Sequence, residues 1–330
     1  MFQNSTEIYQ ECLHCEDNSY RRSLYFNIFG SILSAIIALV AVIGNGAVTL
    51  VSFWDQNLRS QTGNILIVYL AVTDIFTALF IIFPSSIAVA ADYWPLGSVF
   101  CRMTTCFNCM FLCSSSFNIS LVSLDRVIAV LFPLKYDTWI SVSVLINVLI
   151  CLFLVTGISG LVCGVPGWSL YKYTEGTCAI DYINDFRVAY LYTYGFSMCY
   201  VLPAILVAIC YIKIIIAAKK SAKVNPRIFC KRNEENIAIS QASHTNKTVK
   251  SMIVVVCVYY FCYTPYCIAN ETKVLTGKDM PPWLNYMSTI LVYVSSAVNP
   301  FIYGILRKDF RNAFRKLPRM IRDKILYFRI

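Results

Sequence analysis

Seven long apolar stretches, separated by short tracts that hold most of the charged residues, constrain this chain more than any other feature. A bilayer core about 30 Å thick is crossed by roughly 20 helical residues. Only 14% of the 330 residues are charged, against about 25% in a typical soluble domain. The pattern predicts an all-α membrane protein, a bundle of seven transmembrane helices near residues 25–52, 62–89, 99–131, 141–164, 187–217, 247–271 and 283–306.

The basic residues are distributed unequally between the two sides of the predicted bundle. Only 7 of the 28 lie on the side of the N-terminus, and the others concentrate at 213–250 and 307–329. The positive-inside rule therefore places the N-terminus outside. We expect a multi-pass plasma-membrane protein whose net charge of +10 reflects a face that meets anionic lipid, with no nucleic acid as a partner. The predicted segments are an extracellular tail over 1–24, a transmembrane domain over 25–306 and a cytoplasmic segment over 307–330.

The extracellular tail carries two kinds of candidate modification site. Asn4 begins the sequon Asn4-Ser5-Thr6 and is the predicted glycosylation site, and a further sequon begins at Asn270. Cys12 and Cys15 lie on the oxidising side of the membrane, and the sequence leaves open whether they pair. The tail lacks the apolar run of a cleavable signal peptide, so the first span is expected to direct insertion.

Several polar residues interrupt the apolar spans, where an unsatisfied polar group is costly. Any one of them is as readily explained by a hydrogen bond between packed helices as by function. Their order along the chain is more informative than any single residue. In that order the motifs are Gly44-Asn45, Leu70-Ala71 with Asp74, Trp94-Pro95-Leu96-Gly97 before Cys101, Leu124-Asp125-Arg126, Pro133-Leu134-Lys135-Tyr136, Pro203 with Tyr211, Cys262-Tyr263-Thr264-Pro265, and Asn299-Pro300-Phe301-Ile302-Tyr303.

Together these motifs resemble those of the rhodopsin-like G-protein-coupled receptors, over nearly the whole chain. The segments 133–136 and 299–314 are most similar to the aminergic, or trace-amine, branch. The resemblance implies a receptor rather than an enzyme, without a cofactor. Such a receptor binds an extracellular ligand and activates a heterotrimeric G protein by shifting between two packings of the bundle. Arrestin, a receptor kinase and membrane lipid are the further partners that the resemblance implies.

The resemblance assigns roles at the cytoplasmic end. Arg126 pairs with Asp125 in the inactive state and faces Tyr211 and Tyr303 in the active state, while Leu134 enters a hydrophobic pocket of the G protein. Prolines inside spans remove helix hydrogen bonds and act as hinges. The residues expected to serve coupling are Asp125, Arg126, Leu134, Tyr211, Pro265, Asn299, Pro300 and Tyr303, with Pro203 as a further hinge.

Two covalent or ionic features follow from the same resemblance. Cys101 and Arg126 are 25 residues apart, about 37 Å of helix, which places Cys101 outside. Cys178, in the outer loop between the fourth and fifth spans, is its expected disulfide partner. An allosteric sodium ion is expected between Asp74, Ser115, Ser295 and Asn299, although the family more often has Asn where Ser295 stands.

The segment after the seventh span is predicted to form a short amphipathic helix. This helix covers residues 307–317 and is expected to lie on the inner leaflet, with Phe310 and Phe314 facing lipid. No cysteine follows it, so a palmitoyl anchor is not expected.

The ligand site is predicted in the outer half of the bundle by helical spacing. Four residues of the third span recur at the i, i+3, i+4 and i+7 positions of one helix face, below Cys101. Aromatic and hydroxyl side chains of the later spans should face them, and core packing is the alternative explanation for many of these residues. The candidates are Thr105, Asn108, Cys109, Leu112, Asp181, Phe196, Tyr263, Tyr266, Asn270, Thr289 and Tyr293.

The chain departs from the aminergic branch at the residue that matters most for an amine. That branch has an aspartate where Asn108 stands, and an amide cannot supply the charge. An amine would then be held by aromatic faces or by Asp181. The sixth-span tryptophan expected before Thr264 is Tyr263, a change that could alter basal activity.

Other functions are less well supported by the sequence. A retinal-binding opsin needs a lysine in the seventh span, but none lies between Trp283 and Leu306, and Tyr293 fills the expected place. A transporter would need a polar path, and Asp74 is the only acid expected deep in lipid. Among receptors, the short tail and moderate loops favour an amine-like or odorant-like small ligand over a peptide.

Overall fold

The computed structural model describes residues 22–181, 186–223, 232–278 and 280–327. Within these residues, seven helices are long and apolar enough to cross a membrane, which confirms the predicted bundle. Asn4, Cys12 and Cys15 lie outside the described residues. The sixth span ends at Thr276 rather than near 271. The spans are Leu24–Trp54, Asn64–Ala91, Gly97–Leu131, Val142–Cys163, Arg187–Ala217, Ser251–Thr276 and Pro282–Leu306. The helix containing the sixth span begins at Arg232, and the one containing the fifth runs from Phe186 to Lys223.

Side-chain caps define where the first span begins and how it connects to the second. The Ser23 hydroxyl accepts a hydrogen bond from the Phe26 amide at 3.2 Å, satisfying one of the free N–H groups at the helix start. After Trp54, the Asp55 carboxylate accepts from the Asn57 amide at 3.0 Å and caps the short helix Gln56–Arg59. The first inner loop is therefore a compact, capped connection.

The second and fifth spans each contain one π-helical turn, over Ala78–Ile82 and Ser197–Val201. Each turn lies just before a proline, Pro84 or Pro203, which has no amide hydrogen to donate. The extra residue in a π turn changes the direction in which later side chains point. In the second span this places Ser85 against the seventh span.

Close approach of the first and seventh spans depends on a glycine. A β-carbon added to Gly44 would lie 2.9 Å from the Pro300 ring, so a larger residue would force the helices apart. Next to it, the Asn45 amide donates to the Ser296 carbonyl at 2.8 Å. The Gly44-Asn45 motif thus combines a small residue with an interhelical hydrogen bond, as membrane helix packing favours.

The outer loop between the fourth and fifth spans folds back onto the bundle as a β-hairpin. Strand β1 (Ser169–Lys172) pairs antiparallel with strand β2 (Thr177–Ile180), and Tyr171 faces Cys178 across the pair. Every residue of β2 is buried. The disulfide between Cys101 and Cys178 joins β2 to the third span, which confirms the predicted bond. The sequence did not predict the hairpin itself.

The helix after the seventh span runs from Lys308 to Tyr327, about ten residues longer than predicted. The prediction that Phe310 faces lipid is wrong, because that side chain is fully buried and its ring lies 5.5 Å from the ring of Tyr303. Phe314 is half-buried beside Gly304. The apolar face of this amphipathic helix therefore packs under the bundle, and Lys316 reaches Asp55 of the first inner loop at 3.3 Å.

Candidate functional site

At the cytoplasmic end of the third span, Arg126 forms an ion pair with its neighbour Asp125. The hydroxyl of Tyr136 donates to the other oxygen of Asp125 at 2.6 Å. Both partners of the ion pair are largely shielded, with side-chain exposures of 17% for Arg126 and 3% for Asp125. This arrangement is the one that the resemblance assigns to the inactive state.

Two residues that complete this cluster were not predicted to be part of it. Burial, followed by the negative charge of Asp125, raises the pKa of Tyr136, so its phenol remains protonated and able to donate. A β-carbon on Gly63 would collide with the Arg126 guanidinium and lie 3.0 Å from the Asp125 carboxylate. Tyr136 could have been identified from its motif, whereas nothing in the sequence marks Gly63.

Leu134 stands apart from this buried cluster. It lies on the short helix Pro133–Trp139, and its side chain is 96% exposed. A side chain this exposed makes almost no contact with the rest of the protein and is accessible from the cytoplasmic side. The remaining coupling candidates lie in the bundle: Tyr303 is buried against Phe310, Tyr211 is half-buried on the fifth span, and Pro265 and Pro300 lie inside helices.

The four predicted sodium ligands converge in the middle of the bundle. Asp74, Ser115, Ser295 and Asn299 all line one cavity of about 10 Å³, close to the space that one water or small ion requires. The Asn299 amide donates to the Asp74 carboxylate at 2.9 Å. Tyr263 also lines this cavity, so it lies deeper than the other predicted ligand contacts.

The predicted ligand-binding residues divide into three groups. Leu112, Tyr263, Tyr266 and Tyr293 belong to one apolar cluster at the centre of the bundle. Thr105 and Thr289 are buried, and their hydroxyls donate to carbonyls of their own helices. Of the others, Cys109 packs with Ile180 and Val188, and Phe196 stacks on Tyr200 in the fifth span. Asn108 is half-buried on the third span, and the Asn270 side chain donates to the Tyr266 carbonyl of its own helix. Asn270, which begins the second sequon, is buried.

The turn of the hairpin is inserted between the second, sixth and seventh spans. The Tyr293 hydroxyl donates to Ser85 at 3.1 Å, and Ser85 donates to Thr177 of β2 at 2.9 Å. Gly176 has a positive φ of 72°, and a β-carbon there would lie 2.7 Å from Val89. The Tyr266 hydroxyl donates to Glu175 at 3.4 Å. The hairpin turn therefore contacts two of the residues predicted for the ligand site, Tyr266 and Tyr293, through Glu175 and through Ser85 and Thr177, which the sequence did not indicate.

Asp181, which the sequence suggested as an amine partner, forms an ion pair within the outer loop. Its carboxylate lies 3.3 Å from the ammonium of Lys172, and the Lys172 side chain is only 1% exposed. A charge buried to this extent requires its partner. Asp181 therefore serves the hairpin, because it neutralises Lys172.

Besides the Lys172–Asp181 pair, a cluster of Arg22 and Asp92 holds the hairpin to the ends of the first and second spans. The Tyr173 hydroxyl donates to Asp92 at 2.7 Å, and Arg22 contacts both the Tyr173 carbonyl and the hydroxyl of Tyr171. The Arg22 guanidinium also lies 4.0 Å from the centre of the Tyr173 ring. Burial raises the pKa of both tyrosines, so they remain neutral donors.

Comparison with known proteins finds the family that the sequence motifs resemble. The family model "7 transmembrane receptor (rhodopsin family)" matches residues 44–303. The human histamine H2 receptor is 28% identical over 298 residues, covering 87% of this chain and 78% of that protein. Opsin-1 of Schistocerca gregaria is 25% identical over 301 residues, with coverages of 89% and 77%. The rat somatostatin receptor type 4 is 26% identical over 292 residues, with coverages of 86% and 71%.

A solved structure with the same fold is that of squid rhodopsin. It superposes with a TM-score of 0.81 at 20% identity, covering 92% of this chain and 88% of that one. At this identity the match establishes the arrangement of the seven helices and does not extend to the ligand.

Proposed function

The chain belongs to the rhodopsin family of seven-transmembrane receptors, and on that premise we propose that it binds an extracellular small molecule in the outer half of its bundle and activates a heterotrimeric G protein at its cytoplasmic face. As a member of this family it is a multi-pass receptor of the plasma membrane and not an enzyme. The proposal concerns the ligand, the coupling and the residues that perform them.

The arrangement of Asp125, Arg126 and Tyr136 is the observation that carries the coupling proposal. Arg126 is a permanent cation at the cytoplasmic end of a span, and it is held by an adjacent acid that is itself held by a neighbouring helix. Release of Arg126 would expose a positive charge and its hydrogen-bond donors to an inserted partner. The exposed Leu134 supplies an apolar contact beside it.

The buried hairpin supports a small ligand. Its turn is inserted between the second, sixth and seventh spans, where Glu175 and Gly176 are buried. A ligand in the outer half must therefore fit beside or displace a compact turn. A peptide is the second candidate, because somatostatin receptors are among the similar proteins.

We further propose that the cavity around Asp74 binds sodium. Hard cations prefer oxygen ligands, and the residues there supply a carboxylate, two hydroxyls and an amide oxygen. A buried carboxylate is costly unless a cation compensates it, and Asn299 provides only a neutral donor.

The test of coupling is nucleotide exchange on purified heterotrimeric G proteins by the full chain in lipid nanodiscs. Exchange is measured without ligand and with amines, other small metabolites and short peptides. We expect Arg126→Ala to reduce exchange at least about tenfold, because it removes a charged contact made only in the active state. Arg59→Ala, which removes an exposed cytoplasmic arginine, is the matched control and should leave exchange unchanged.

Leu134→Ala distinguishes direct contact with the G protein from an effect on folding. Because this side chain is solvent-exposed, its removal should lower exchange several-fold without changing the unfolding temperature. Trp139→Ala on the same short helix serves as control. A folded chain that promotes no exchange on any G protein, with or without ligand, contradicts the proposed function.

A further inference from the structure

The sixth span contributes two tyrosines to the cavity around Asp74. Tyr259 and Tyr263 lie one helical turn apart, so they share a face of the helix. Both side chains are buried and line the cavity, and their ring centres are 4.3 Å apart. The other polar residues that line it belong to the second, third and seventh spans. Four spans therefore meet around this buried acid.

The Tyr263 hydroxyl reaches the polar side of the cavity. It contacts the hydroxyl of Ser295, and it is close enough to Asp74 for the two groups to interact electrostatically. Ser295 donates its own proton to the Val292 carbonyl at 2.7 Å, so its oxygen can accept from Tyr263. A phenol that donates in this way retains lone pairs on its oxygen. The sixth span thus presents an oxygen beside the buried carboxylate.

Tyr263 and Ser295 are both positions at which the chain departs from the family that its motifs resemble. Tryptophan is expected in place of Tyr263, and the only polar group of its side chain is an N–H donor. Asparagine more often stands in place of Ser295, and its side chain is the longer of the two. In this chain the two substituted residues contact each other. Both departures therefore affect the same oxygen-lined space.

The neighbouring tyrosines of the sixth span direct their hydroxyls elsewhere. Those of Tyr259 and Tyr260 both lie near the Ser116 hydroxyl of the third span. Among the described residues, the lining of the cavity includes neither Ser116 nor Tyr260. Tyr259 therefore supplies a ring to the cavity wall, whereas Tyr263 supplies an oxygen. Of these three tyrosines, Tyr263 is the one whose hydroxyl lies beside the acid.

We propose that the Tyr263 hydroxyl is an oxygen ligand of a sodium ion in this cavity, and that it joins the sixth span to the second and seventh spans at this site. The inference rests on the proposed function, in which the cavity binds sodium through four other residues. Hard cations take several oxygen ligands, and Tyr263 adds a fifth to the set. Displacement of the sixth span would withdraw this oxygen. Bound sodium would therefore favour the present packing of the sixth span.

The experiment titrates sodium against the full chain in nanodiscs. Sodium chloride replaces N-methylglucamine chloride at constant ionic strength, and the unfolding temperature and the sodium NMR linewidth report binding. Tyr263→Phe keeps the ring and removes only the oxygen. We expect this substitution to weaken sodium binding about tenfold, because the number and rigidity of the ligands set the affinity for a cation.

Tyr260→Phe is the matched control, because it removes a buried hydroxyl from the same helix without changing the lining of the cavity. Tyr259→Phe is the second control, since it keeps the ring that lines the cavity and removes the hydroxyl near Ser116. Both substitutions should leave sodium affinity unchanged. Sodium binding that is weakened by Tyr259→Phe or Tyr260→Phe and not by Tyr263→Phe overturns the proposal.

A merely structural role for the Tyr263 hydroxyl gives a different result. Loss of its contact with Ser295 would then lower the unfolding temperature equally in both chloride solutions and leave sodium affinity unchanged, which also overturns the proposal. If Asp74→Asn abolishes sodium binding while Tyr263→Phe retains it, the sodium site stands without Tyr263. A wild-type chain that binds no sodium overturns both the site and its fifth ligand.

Ligand-free nucleotide exchange on the same samples separates these results from the receptor function. Exchange by a chain that binds no sodium refutes the cation site and leaves coupling intact. Sodium binding that Tyr263→Phe weakens, in a chain that promotes no exchange, supports the inference and refutes coupling.

Discussion

Two polar clusters, the one at Asp125 on the cytoplasmic side and the one at Tyr293 on the outer side, differ in how far apart their partners lie along the chain. At the cytoplasmic end, Asp125 binds its neighbour Arg126 and also Tyr136, 11 positions on. At the outer end, Tyr293 contacts Ser85 across 208 positions, and Ser85 contacts Thr177 across 92. The inner contacts belong to one short stretch of chain. The outer contacts exist only after two spans and a hairpin have come together.

This difference predicts that the two ends respond differently to mutation. A substitution at the inner cluster should change the balance between two states of a folded receptor, because few other contacts depend on it. A substitution at the outer cluster should change whether the ligand site forms at all.

The largest effect is expected from Cys178→Ser, which releases β2 from the third span. Loss of a native disulfide costs about 2–5 kcal/mol, and here it bridges a sequence separation of 77 residues. We expect a lower unfolding temperature and loss of ligand binding, with ligand-free nucleotide exchange largely retained. Thermal unfolding and exchange on the same nanodisc samples measure both.

Cys151→Ser is the control for this substitution, since Cys151 is a free thiol exposed on the fourth span. The double substitution Cys101→Ser and Cys178→Ser should equal the single one, because both remove the same bond. Equal losses of ligand binding and of ligand-free exchange would show that the two ends are not separable in this way.

The same contrast explains how much could be predicted from the sequence. Asp74, Asp125 and Asn299 could be singled out because a polar group inside a span is costly, and their expected roles came from motifs that resemble those of a receptor family. The position of Glu175 could not be predicted, since it depends on a loop folding into a hairpin and inserting between helices. The Cys101–Cys178 bond was expected, but the path of the chain on either side of Cys178 was not.

The rotation of a helix about its own axis is a second property that the pattern leaves undetermined. Phe310 and Phe314 are four residues apart and must share a helix face. The spacing does not say whether that face meets lipid or protein, and in this chain it meets Tyr303 and the underside of the bundle. The ion pair between Asp181 and Lys172, nine positions apart, is likewise a contact that the sequence did not indicate.

A smaller effect is expected from Tyr136→Phe at the inner cluster. The substitution removes one hydrogen bond to a charged acceptor, a contact worth about 1.5–3 kcal/mol. Because this bond stabilises the pairing of Asp125 with Arg126, its loss should raise ligand-free nucleotide exchange about tenfold. The unfolding temperature should change little. Thr138→Val is the control, since the Thr138 hydroxyl bonds only within the same short helix. Unchanged exchange in Tyr136→Phe would mean that this cluster does not hold the inactive state.

The smallest effect, on the unfolding temperature, is expected at the contact between Asp74 and Asn299, which is long-range although it does not belong to the outer end of the bundle. Asp74 and Asn299 lie in the membrane interior, deeper than the outer site, yet they are 225 positions apart. If sodium binds there, it should stabilise the bundle by about 1.4 kcal/mol at ten times its Kd, which raises the unfolding temperature by roughly 2–4 °C. The measurement compares sodium chloride with N-methylglucamine chloride at equal ionic strength.

Asp74→Asn should abolish the sodium-specific rise in unfolding temperature, because an amide cannot neutralise the cation. Asp137→Asn, which changes an exposed cytoplasmic acid, is the control and should keep the rise. Sodium should also lower ligand-free exchange, because it links the second and seventh spans in one packing of the bundle. That result would identify Asp74 and Asn299 as a long-range contact that acts on the same equilibrium as the local cluster at Arg126. A sodium effect on stability without any effect on exchange would instead place this contact with the outer ones, as a requirement of assembly rather than part of the switch.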